Sequence, residues 1–225
     1  MKLKLLAALS LLPASLLTSS LAIAVDTELK SEGQIIAGSC EISASNAGVY
    51  EFGDISQDNL TAASPKEIGD KTQTITITCA APMYVAMKMA DNREGTESTG
   101  TNFPSSAPRA AVEKLGLNLD PSQNPIGFWK ITLPAQPQVD GSEGRILYSL
   151  DSGVTWPGSM RLNDNPLHPN LRFAFAPLAS GNTPSPIQIA SFDLKGTVYI
   201  DAMDKLDLSR GAELDGSVTF ELYYL

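Results

Sequence analysis

No stretch of this chain carries a long helical period. Its apolar residues fall instead into short runs rich in β-branched and aromatic side chains. GVYEF (48–52), QTITITC (73–79), MYVAMKM (83–89), GFWKITL (127–133), RILYSL (145–150), LRFAFA (171–176), IQIASFDLKGTVYI (187–200) and SVTFELYYL (217–225) all read as strands. Clusters of Gly, Pro, Asn, Asp and Ser separate them and read as turns. The best helical candidate is the short PRAAVEKLG at 108–116. About ten short strands with this punctuation predict an all-β sandwich, with a closed barrel as the alternative.

The two ends constrain the chain further. Residues 1–24 open with Lys2 and Lys4, continue through an apolar run and end Ala22-Ile23-Ala24. A basic head, an apolar stretch and a small-residue exit predict a signal peptide cut after Ala24. Pro13, Ser15 and Thr18-Ser19-Ser20 interrupt the apolar part, which makes it a poor membrane span. The following segment, VDTELKSEGQI, alternates with period two. Val25, Thr27, Leu29, Ser31, Gly33 and Ile35 form an apolar or small face, and Asp26, Glu28, Lys30, Glu32 and Gln34 form a polar one. That is the pattern of a half-buried strand, yet no hairpin turn brings it a partner. The final segment alternates in the same way. Val218, Phe220, Leu222 and Tyr224 stand against Thr219, Glu221, Tyr223 and Leu225.

Export makes a disulfide between Cys40 and Cys79 the expected state of the two cysteines. A metal or redox pair is the weaker reading, because the spacing is far from C-x-x-C and the one histidine, His168, sits in the loop NPLHPN. With Lys2 and Lys4 removed, 14 basic residues face 25 acidic ones, a net charge of −11. The chain has no basic cluster, so nucleic acid and anionic membrane are poor partners. Residues 91–125 are polar with Gly and Pro throughout, and read as a long decorated loop rather than a linker.

Catalytic signals are thin. There is no Gly-x-Ser-x-Gly, and oxidised cysteines supply no thiol nucleophile. Asp201, Asp204 and Asp207 recur every third residue without the glycine and glutamate of a calcium loop, and read as a solvated face. SLDSGVTW (149–156) fits the Asp-box pattern of sialidases and related propellers, in which it forms a structural turn. Asp151 would bond the turn amides, Gly153 would supply a permissive backbone, and Trp156 would pack on the strand that follows. A single copy without repeated blades predicts a hairpin from 145–150 to a strand near 155–161. Trp129, Trp156, Phe128 and Tyr148 are candidates for stacking on sugar, with core packing the competing role for each.

GQIIAGSCEIS, YEFGDIS, TITITCAAPMYVAMKMADNREGT and the terminal ELYYL, with its penultimate tyrosine, resemble a subunit of chaperone–usher fimbriae. The similarity is nearest to an uncharacterised fimbrial-like family of bacterial exported proteins. The resemblance implies an immunoglobulin-like (pilin-type) β-sandwich that lacks its last strand and exposes a hydrophobic groove. Residues 25–36 would be an N-terminal extension strand and 37–225 a single domain, with an enlarged loop and hairpin region. In such fibres the extension of one subunit fills the groove of the next, which is β-strand addition. Val25, Thr27, Leu29, Ser31, Gly33 and Ile35 would point into a neighbour's groove. Val218, Phe220, Leu222 and Tyr224 would line the subunit's own groove, and the carboxylate of Leu225 would meet a basic anchor of a periplasmic chaperone. The implied partners are that chaperone, an outer-membrane usher and other fimbrial subunits, with a host or surface glycan as a further ligand. The implied route is the periplasm, then the fimbrium or cell surface, and no cofactor is called for. Whether the extension strand acts in a neighbour or completes its own sheet stays open. A soluble carbohydrate-binding module is the alternative function.

Overall fold

The computed structural model describes residues 38–163 and 165–225. Ten strands make up its regular structure: β1 (Cys40–Ala44), β2 (Lys66–Met83), β3 (Val85–Asp91), β4 (Gly127–Thr132), β5 (Gln138–Val139), β6 (Ser142–Ser149), β7 (Gly158–Ser159), β8 (Arg172–Pro177), β9 (Ile187–Ile200) and β10 (Val218–Tyr224). The strands follow the order β1-β2-β9-β5-β6-β8-β3-β10, with β4 beside β9 and β7 beside β6. Every strand-to-strand ladder is antiparallel. The expected all-β sandwich is thus observed. One sheet is built on β2 and β9, the other on β3, β8 and β6, and the β5–β6 hairpin joins them.

Side-chain alternation explains which face each strand buries. In β2, Gln73, Ile75, Ile77 and Cys79 are buried, while Thr74 and Thr78 are exposed. Ile75 and Ile77 share one core with Met87 and Met89 of β3, Trp129 and Ile131 of β4, Phe173 and Phe175 of β8, and Phe192 and Leu194 of β9. The β5–β6 turn is Asp140-Gly141, with φ of 49° and 78°. Two left-handed residues match the twist of a two-residue hairpin, which favours Asp-Gly there. The Asp140 carboxylate also accepts the amides of Gln188 and Ile189 and so ties the turn to the start of β9.

The segment 91–125 is a loop, as expected, and its role is visible. It covers the outer face of β4 and β9, where Phe103 and Ala107 bury Phe128 and Tyr199 in a second, small cluster. Tyr199 donates to the Ser106 carbonyl at 3.0 Å, and burial pushes its hydroxyl up to about 12. Two expectations need correction. GVYEF is not a strand, because Asn46, Ala47 and Gly48 turn left-handed and the chain then sends Tyr50 inward, where its hydroxyl bonds the Leu194 carbonyl at 3.0 Å. PRAAVEKLG yields only a 3-10 turn at Ala111–Glu113. Leu115 there exchanges backbone bonds with Trp129, at 2.8 and 3.0 Å, which ends any helix.

Candidate functional site

The strand order leaves one seam. β1 and β10 pair on one side only, with β2 and β3 respectively, and among the described residues no ladder joins them to each other. They nonetheless lie close, since the Cys40 amide donates to the Tyr224 hydroxyl at 3.0 Å. Backbone alternation fixes what faces the seam. Ser39 and Ala80 are already bonded across β1–β2, so the amides and carbonyls of Cys40, Ile42 and Ala44 point away from β2. Ser217 bonds Asn92, and Leu225 bonds Tyr84, so those of Val218, Phe220, Leu222 and Tyr224 point away from β3. Two facing edges whose backbone groups have no ladder partner among the described residues form a template for a further strand.

Between the edges lies a cavity of about 500 Å³. Its floor is Ile75, Ile131, Val198 and Trp129, and its walls include Ala44, Tyr50 and Phe52 on one side and Val218 and Phe220 on the other. Tyr50 meets Trp129 edge-on with ring centroids 5.7 Å apart, and burial raises its hydroxyl far above the ordinary tyrosine value. At Leu214 the cavity adjoins a second one of about 420 Å³, between residues 53–60 and 206–214. Ile42, Ala44, Val218, Phe220 and Leu222 are only half-buried against the core. Filling the cavity would therefore remove more apolar surface from water.

Each sequence candidate can now be placed. The Cys40–Cys79 disulfide is present, with Cα atoms 4.0 Å apart, and staples β1 to β2 where the two residues pair. Val218, Phe220, Leu222 and Tyr224 lie on β10, with Val218 and Phe220 lining the cavity. Leu225 follows β10, its amide bonded to the Tyr84 carbonyl. The donor-strand residues Val25, Thr27, Leu29, Ser31, Gly33 and Ile35 lie outside the described residues.

The SLDSGVTW segment forms a turn closed by Asp151. The Asp151 carboxylate accepts the Thr155 amide and hydroxyl at 2.8 and 2.6 Å and the Ser149 hydroxyl at 2.7 Å, and these bonds hold its pKa down at about 2. Gly153 has φ of 92°, and Trp156 lies against it. The turn leads into β7, which pairs with β6, so the predicted hairpin exists.

Phe128 and Trp129 are buried, whereas Tyr148 and Trp156 are half-buried and remain within reach of solvent. Asp201 is not solvated. It is buried, and it accepts the Ser98 hydroxyl, the Ala202 amide and the Lys205 ammonium. No group of three metal-ligating side chains occurs among the described residues. Sequence reasoning missed Tyr50 and Leu214 as part of the site. Both stand on irregular segments, where no periodicity marks an inward position.

Residues 29–119 match a family described as protein of unknown function (DUF1120). That span holds the two cysteines, β1, β2 and β3, hence one wall of the seam, but not β10. The chain is also similar to Protein GltF of Escherichia coli (strain K12), with 29% identity over 140 residues. That alignment takes in 57% of this chain and 53% of GltF, so the chain spans about half the length of the curated relative it matches.

Proposed function

We propose that the protein is an exported, non-enzymatic fimbrial subunit whose seam between β1 and β10 accepts a strand from a neighbouring subunit. The observation that carries this reading is the seam itself: two facing strand edges that share no ladder among the described residues, beside a cavity of about 500 Å³ lined in part by Ile75, Ile131, Val198 and Trp129. The occupant is residues 25–35 of a second copy. Their alternation offers one apolar face to the cavity and one polar face to water. At about 3.3 Å per residue they extend about 36 Å, against about 23 Å for β10, so they can run the full seam. In the chain they precede β1, with Ile36-Ala37-Gly38-Ser39 as the link. Backbone bonds to both edges would supply affinity and the inward side chains selectivity. Before assembly, a periplasmic chaperone covers the seam and an outer-membrane usher exchanges it for the neighbour's strand.

Deleting residues 25–35 tests the reading. The deletion protein should fold and co-purify with its chaperone, yet fail to enter fibres made by the wild type as a donor. Fibres that form as well from the deletion protein alone would sink it.

A further inference from the structure

Across the seam, the Cys40 amide is bonded by a side chain. Its partner is Tyr224, which stands on the opposite wall and accepts at 3.0 Å. Cys40 is the first residue of β1, and its amide is among the groups that face the seam. A strand running the whole seam would offer a backbone carbonyl to that amide, because each seam-facing donor of β1 needs one acceptor. The Tyr224 hydroxyl and the incoming carbonyl therefore compete for the same proton. Among the described residues Tyr224 makes no other side-chain hydrogen bond, and at 54% exposure it can swing into water when displaced. Neighbouring Tyr223 is engaged elsewhere, its hydroxyl on Glu221 and its ring under Arg172.

We propose that Tyr224 is an intramolecular competitor for the acceptor seam. It clasps β10 to β1 at the disulfide end in the empty subunit, and it must let go before an entering strand can pair with Cys40. The inference rests on the strand-accepting reading above. It adds that the empty seam is partly closed by the protein's own residue, and that the Cys40 amide marks how far the entering strand must zip. In the filled state Tyr224 no longer holds the amide, so its loss should change entry and not exit.

The test compares the exported protein with its Tyr224→Phe and Tyr223→Phe variants. Exchange of the Cys40 amide is followed by NMR with 15N-cysteine, and a fluorescent peptide of residues 25–36 reports association and dissociation. One net hydrogen bond corresponds to a change of about two- to tenfold. Tyr224→Phe should speed Cys40 exchange and peptide association by about that factor, with dissociation unchanged. Tyr223→Phe should alter neither. Unchanged Cys40 exchange and unchanged association in Tyr224→Phe would overturn the clasp while leaving strand addition intact. A peptide that binds none of the three proteins would overturn the strand-accepting reading, and the competitor role with it.

Discussion

Replacing both cysteines by alanine should weaken the protein alone more than the protein with a peptide of residues 25–36 bound. The disulfide closes a loop with a sequence separation of 39. In the chain-entropy description a loop of that size contributes about 4 kcal/mol, and native disulfides of small exported domains span about 2–5 kcal/mol. The local structure points to the same end of the range. β1 has five residues, a ladder on one side only, and side chains that face the cavity half-buried. Without the staple, its attachment rests on that ladder, on Ile42 and Ala44 against the core, and on the Tyr224 hydroxyl at the Cys40 amide. Alanine is the better replacement, because Cys79 is 2% exposed and a serine hydroxyl would be buried there without an assured partner. Urea unfolding of the double variant should show a loss of about 4 kcal/mol, with β1 amides exchanging first. Adding peptide 25–36 should restore part of the loss, since an inserted strand gives β1 its second ladder. A loss below about 1 kcal/mol, less than half the lower bound, or no recovery with peptide, would refute the reasoning.

Two further outcomes follow from the geometry. The Asp151 carboxyl has a folded pKa of about 2, below the ordinary value of about 3.9, so the turn it closes is supported in full above about pH 4. That support should fade as pH falls through about 2, and a carboxyl-carbon titration of Asp151 with a midpoint near 4 would contradict it. Gly127→Ala places a Cβ 2.0 Å from the Tyr199 carbonyl oxygen, inside the β4–β9 ladder where neither backbone can yield. Thermal or urea unfolding should show a loss of about 3 kcal/mol, the upper end of overpacking costs, and a loss within experimental scatter would contradict it.

Strands were legible where alternation coincides with a ladder. The span 187–200 was read at its true ends, and 73–79, 127–133, 145–150 and 217–225 lie within or close around β2, β4, β6 and β10. GVYEF misled because a loop that sends Tyr50 inward leaves the same alternation as a strand. The disulfide was legible from cysteine count and the export signal, and β10 from its alternation, whereas β1 at Cys40–Ala44 was not among the strands read from the sequence. The cavity between them was not. Its walls include Tyr50, Leu117 and Leu214, which approach one another only through long-range packing of irregular segments. The wrapping of Phe103 and Ala107 over Phe128 and Tyr199 was equally hidden, since the loop that does it is polar in composition.

Strand acceptance is tested most directly by size-exclusion chromatography with light scattering on the exported protein, with and without a peptide of residues 25–36. The account predicts protein that is heterogeneous or self-associated alone and becomes a defined one-to-one complex when the peptide is added. A stable monomer indifferent to the peptide would contradict it.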